Sequence, residues 1–219
     1  ETDWARGFCF LVTRRVLDKI GGLDEAFAPA YFDDWDYSIR AIKACFRCAC
    51  ALGAFVWHYK NVTYGLEFSN DSLRWKGKIF YRRWGAPIKI LLLDDQNGRM
   101  PVSDFACFIR ELLNGQDRVT FVSARADHVF SEHTNMRYCR VPQFWFRPYI
   151  ILRLLDNLRY HKLKRYDMII TSKKMLDSLR SISIIWNSFP QRFYTYDGKF
   201  GNLLAEVAKL KQKKAQSFL

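Results

Sequence analysis

Short apolar runs alternate with amphipathic stretches along most of the chain. Residues 8–13 form one such run and predict a buried strand. Residues 14–20 predict a helix, with Thr13 as its N-cap and Gly21 as its stop. Gly22-Leu23-Asp24-Glu25 predicts a turn in which Asp24 accepts hydrogen bonds from nearby backbone N–H groups. Pro29 blocks helix propagation through residues 26–30. The next helix is expected from about Asp34 to Lys43. Residues 46–51 and 54–58 predict two short strands separated near Gly53. Residues 64–78 are polar and irregular, with one helical turn near residues 71–75.

The pattern changes after Gly85-Ala86-Pro87. Residues 88–93 form a continuous apolar run, the mark of a parallel strand buried on both faces, and it ends in Asp94-Asp95. A helix is expected at residues 103–113 and a strand at 118–122. A further strand should end at residues 140–142, and a basic helix should cover residues 147–164. Strands follow at residues 166–171 and 182–186, then a Lys-rich helix at 201–216. Strands alternating with helices predict an open α/β layer of Rossmann type. The chain is therefore divided into residues 1–86 and residues 87–219.

The chemistry concentrates in Tyr31-Phe32-Asp33-Asp34-Trp35-Asp36-Tyr37-Ser38-Ile39-Arg40. Three carboxylates within four residues repel one another unless cations or hydrogen-bond donors compensate. On a helix, Asp36 and Arg40 are one turn apart and can pair. Asp33 and Asp34 then lie at the helix entrance, where free N–H groups and the helix dipole favour negative charge. A carboxylate held there can accept a proton from a hydroxyl. An N-cap with a solvated acidic turn is the plain alternative. Asp34-Trp35-Asp36 also reads as a D-x-D string, but residues 26–30 are no strand and a helix follows, so no metal role is assigned to it.

The neighbouring motifs sharpen this. Gly7 is followed by Thr13-Arg14, then by Gly21-Gly22-Leu23-Asp24-Glu25, the acidic stretch, and Val56-Trp57-His58. Phe80-Tyr81-Arg82-Arg83-Trp84-Gly85 comes last. In this order residues 1–86 resemble the C-terminal half of a family-2 glycosyltransferase of the GT-A fold, with Asp33 where Glu is more usual. That resemblance implies an inverting transfer from a nucleotide-sugar donor to a saccharide or lipid-linked acceptor hydroxyl. It makes Asp34 the general base and Asp33 its neighbour in the catalytic pair. Trp35, Asp36, Arg40 and Asp24 become acceptor or support residues, Trp35 either stacking on a sugar ring or packing internally. His58 falls where the family holds a divalent cation, Mg or Mn, in the intact enzyme.

The second part resembles, through residues 90–95, 112–122 and 166–172, the first Rossmann-like domain of a GT-B glycosyltransferase of family-4 type. The sequence opens abruptly at Glu1-Thr2-Asp3-Trp4, as though cut from a longer polypeptide. With the nucleotide-binding half of the first domain outside it, the fragment is expected to bind no metal tightly and to be inactive alone.

Composition adds limits. Aromatic residues make up 16% of the 219 residues, which argues against disorder. Net charge is +13, with 13 Lys/Arg against 10 Asp/Glu in residues 1–86 and 22 against 12 in residues 87–219. Anionic partners such as sugar diphosphates or lipid phosphates fit that balance. No nucleic-acid motif is present, so no nucleic acid is expected as a partner. The non-enzymatic alternative is a basic scaffold or membrane-surface module, in which residues 147–165 lie on anionic lipid. No apolar run reaches the roughly 18 residues of a membrane span. A cytoplasmic location is expected, with peripheral contact to the inner face of a membrane. Of six cysteines, Cys45, Cys48 and Cys50 cluster near His58. Reduced, buried thiols are preferred here over a zinc site.

Overall fold

The computed structural model describes residues 2–59, 65–95, 102–114, 116–124, 133–158, 165–188, 192–196 and 200–218; for 65–69 and 102–105 it describes the backbone alone. The chain divides into two compact units. The first comprises Glu1–Ala86, Glu132–Thr134 and Gln212–Leu219, the second Pro87–Ser131 and Asn135–Lys211.

In the second unit, β1 (Lys89–Asp94), β2 (Arg118–Ser123), β3 (Met136–Arg140), β4 (Met168–Thr171) and β5 (Phe193–Thr195) form one sheet in the order β3-β2-β1-β4-β5. Every neighbouring pair is parallel. Because side chains alternate across a strand, Ile90 and Leu92 face one layer and Leu91 and Leu93 the other. Ile90 and Leu92 pack with Phe108 and Leu112 of α4 (Val102–Asn114) and Leu203 and Val207 of α8 (Phe200–Gln216). Leu91 and Leu93 pack with Ile150 of α5 (Gln143–Leu158), Leu179 of α6 (Lys173–Arg180) and Ile185 of α7 (Ser183–Ser188). Two covered faces explain why residues 88–93 read as an unbroken apolar run. The result is a Rossmann-like parallel α/β layer. Asp94 and Asp95 are buried at the end of β1, where they accept hydrogen bonds from Ser123 Oγ at 3.0 Å and Ser172 Oγ at 2.7 Å.

One expectation fails in this unit: residues 182–186 do not form a strand, and 183–186 lie within α7. The run is too short for period to decide between helix and strand. The position beside β4 is taken instead by β5, whose Ile169↔Phe193 register closes the sheet. The basic helix spans Gln143–Leu158, and residues 159–164 lie outside the described residues. Among the described residues no helix is long and apolar enough to cross a membrane.

The first unit is built differently. It contains α1 (Arg14–Ile20), a 3-10 turn at Glu25–Phe27, α2 (Asp33–Lys43) and α3 (Gly65–Trp84). The strands expected at residues 8–13, 46–51 and 54–58 are absent; an isolated bridge joins Thr2 to Cys48. Strand formation needs a neighbouring chain to take up backbone hydrogen bonds. Residues 65–78, expected to be irregular, are helical. The face that α3 buries carries Ser72, Lys76 and Phe80. Two polar residues on the inner face therefore conceal its period. The core here is small and aromatic: Phe27, Ile39 and Phe80 are buried, with Phe32, Trp35, Tyr81 and Trp84 packed around them. The six cysteines are free, and Cys9, Cys45, Cys50 and Cys107 are exposed rather than buried.

Candidate functional site

Asp36 is the fixed point of the first unit. Its side chain is completely buried, and three polar contacts compensate its charge. Arg40 Nε donates to Oδ2 at 2.8 Å; Arg83 Nη1 and Trp84 Nε1 donate to Oδ1 at 2.8 and 2.9 Å. Arg83 Nη1 also reaches Asp24 Oδ2 at 2.7 Å. Arg40 spends its other donors on the carbonyls of Ile20 and Gly22, both at 2.8 Å. One carboxylate thus joins the glycine pair after α1, the start of α2 and the end of α3. Asp24 caps the 3-10 turn by accepting from Ala26 N at 2.9 Å. That hydrogen bond, with the Arg83 guanidinium beside it, holds its carboxyl below the usual carboxylate range.

The start of α2 is prepared by two left-handed residues, Tyr31 at φ 72° and Phe32 at φ 68°. Each is disfavoured for a bulky side chain by about 1–3 kcal/mol, so surrounding contacts must enforce it. Phe32 supplies them through Phe80 at 4.9 Å, Trp35 at 6.0 Å and Tyr81 at 6.0 Å between ring centroids. Buried Lys76 adds two hydrogen bonds, to Phe27 O at 2.9 Å and to Ala30 O. Burial lowers the Lys76 pKa while the Asp33 charge opposes that change.

Asp33 opens α2 and is half-buried. Desolvation first, and then the neighbouring Asp34 charge, push its carboxyl above the usual value. Asp34 is oriented by two backbone donors: Gly7 N–H reaches Oδ2 at 2.7 Å, and Trp35 N–H reaches Oδ1 at 2.8 Å. One turn later Ser38 Oγ donates to Asp34 O at 2.8 Å and accepts from Ala5 N at 3.1 Å. Residues 5–7 therefore dock along one face of α2. A Cβ on Gly7 would stand 3.0 Å from Asp34 Cβ and 3.3 Å from Oδ2, so any larger residue here would push the Asp34 side chain aside.

His58 stacks on Phe8, with ring centroids 4.7 Å apart and planes 5° apart. Since Phe8 follows Gly7, two successive residues of one segment touch Asp34 and His58. Trp35 is stacked by Trp4 at 5.1 Å and by Phe32, with Phe80 at 4.6 Å. Its rings belong to the aromatic core in this structure. A divalent cation such as Mg or Ca needs several oxygen ligands. Among the described residues no three His, Cys, Asp or Glu side chains converge on a metal-sized site, and His58 alone does not make one.

Several contributors escape a reading of the sequence. The i,i+4 spacing discloses Arg40 for Asp36 but not Arg83 and Trp84, 47 and 48 residues away. Their place in the Phe80–Gly85 motif is the available signal. Gly7 stands out in sequence only as the first residue of a motif, and Lys76 not at all.

Residues 2–77 match the family described as glycosyltransferase like family 2. The matched span holds Gly7, Asp24, the acidic stretch, His58 and Lys76, and stops before Arg83 and Trp84. The match suggests glycosyl transfer in general terms. No curated protein and no solved structure matches the chain.

Proposed function

We propose that the first unit is the acceptor-activating half of an inverting glycosyltransferase of GT-A type, with Asp34 as its general base. The observation that carries this is the division of labour within one acidic stretch. Asp36 is buried under Arg40, Arg83 and Trp84 and serves structure. Asp34, two residues earlier, is aimed by backbone N–H groups and has no side-chain cation on either oxygen among its hydrogen bonds. A base must be oriented yet free to meet a hydroxyl, and Asp34 answers that need.

The step balances simply. An Asp34 oxygen takes the acceptor hydroxyl proton as the acceptor oxygen forms a bond to the anomeric carbon. The bond from that carbon to the phosphate oxygen breaks, and the nucleoside diphosphate leaves with the electron pair. Attack opposite the leaving group inverts the anomeric centre. Asp33, with its carboxyl pushed upward, sits beside the base and tunes it. Because the residues here do not complete a cation site, no step is routed through a metal; His58 supplies at most one ligand to such an ion. In this proposal the second unit is a GT-B-type domain.

The test is stereochemical. The full-length enzyme, supplied with a donor and acceptor it uses, should give a product of opposite anomeric configuration by proton NMR. Retention of configuration would contradict the assignment.

A further inference from the structure

Along α3, Asp71, Arg74, Trp75, Lys78 and Tyr81 fall three or four residues apart and share one face. They line a cavity of about 690 Å³ whose opposite wall is Ser217 and Phe218. Its size is that of small-molecule sites. The walls are of two kinds. Tyr81 and Phe218 pack at 5.0 Å between centroids, and Trp75 beside them is 65% exposed, with no partner ring among the described residues. Arg74 and Lys78 add two positive charges against the single negative charge of Asp71.

Two of the residues that line the cavity, Tyr81 and Gly77, pack against Phe32. Tyr81 is edge-on to Phe32, and a Cβ on Gly77 would meet the Phe32 ring at 3.5 Å. Phe32 immediately precedes Asp33. The α3 wall of the cavity is thus backed by the residue that precedes the carboxylates opening α2 in sequence.

Aromatic faces carry partial negative charge and suit the C–H face of a pyranose ring. Asp71 can accept hydrogen bonds from ring hydroxyls, and a guanidinium grips a carboxylate through two parallel bonds. We infer that this cavity is an acceptor subsite for an acidic saccharide, its ring on Trp75 and Tyr81 and its anionic group on Arg74 and Lys78; the inference rests on the transfer function proposed above. The excess positive charge selects an acidic sugar over a neutral one of equal size.

The experiment is an equilibrium titration of the 219-residue chain, followed by calorimetry, with trigalacturonic acid, maltotriose and inorganic phosphate. Trigalacturonic acid should bind saturably, and maltotriose about tenfold more weakly. Phosphate should not displace the acidic sugar. Trp75→Ala should weaken binding by about tenfold or more, and the pair Arg74→Gln and Lys78→Gln should reduce it to the maltotriose level. These positions are exposed, and circular dichroism checks that each variant folds. Equal binding of maltotriose, displacement by phosphate, an unaffected Trp75→Ala variant, or no saturable binding would each overturn the assignment. No donor is present, so failure here removes the subsite and leaves inversion at Asp34 standing. Retention of configuration in the full-length enzyme would leave this binding untouched.

Discussion

In the second unit five strands satisfy one another's backbone groups, and apolar side chains fill both faces of the sheet. In the first unit comparable apolar segments make, among the described residues, one isolated bridge and no ladder. Leu11 is 91% exposed, Leu52 95% and Phe55 84%, and Trp57 and Tyr59 are exposed beside them. What holds the first unit is a small aromatic cluster and a buried carboxylate with three donors around it. The difference teaches that a strand-like sequence states a preference, which a ladder must complete. It also shows where charge replaces area: the first unit organises its motifs through Asp36 because its hydrophobic core is too small to do so alone.

The comparison breaks most sharply on one substitution in each unit. Asp36→Ala strands Arg40, Arg83 and the Trp84 N–H, a loss of about 3–5 kcal/mol for a buried pair broken on one side. Hydrogen exchange should show α2 and α3 losing protection while β1 and β2 keep theirs. Leu92→Ala should do the reverse, costing about 2–5 kcal/mol through a cavity in the sheet layer. Equal loss in both units from either change would mean that they do not differ in this way.

The same contrast explains what was legible in the sequence. The second unit's β1, β2, α4 and α8 follow directly from apolar period, because their pattern is set by a sheet covered on both faces. The α1 helix and the Asp36–Arg40 pair are equally local, and so are equally readable. The α3 helix is obscured because Ser72 and Lys76 occupy its buried face. Gly7, Lys76 and Arg83 act across the chain, at separations that no local pattern records. Residues 54–58 have strand composition, but composition cannot say whether a neighbouring strand is available.

A smaller effect should come from Gly7→Ala. The added methyl stands against Asp34, so the carboxylate must shift while the helix beneath it stays. Transfer by the full-length enzyme should fall about ten- to hundredfold, the scale of a misplaced catalytic group. Stability should change by only about 1 kcal/mol. A variant with normal turnover would show that the Gly7 contact does not position the base.

The smallest effect sharpens the electrostatic side. The Asp33 pKa is raised in the folded state, chiefly by desolvation and then by Asp34. Between the ordinary value of 3.8 and the raised one, unfolding releases a proton, so its contribution to stability falls as pH rises. Asp33→Asn should therefore stabilise the first unit at neutral pH, by less than about 1 kcal/mol because the group is partly screened by water. The gain should fade below the ordinary carboxyl value. A gain that grows on acidification would reverse the sign of this argument.

The central claim is that Asp34 reacts and Asp36 supports. It is tested most directly by comparing Asp34→Asn with Asp36→Asn in the full-length enzyme, measuring nucleoside diphosphate release and thermal unfolding together. Asp34→Asn should lower kcat by about 10²–10⁴-fold, with donor KM and melting nearly unchanged. Asp36→Asn should lower the melting temperature of the first unit. Normal turnover by Asp34→Asn, or a loss of folding that matches that of Asp36→Asn, would contradict the assignment.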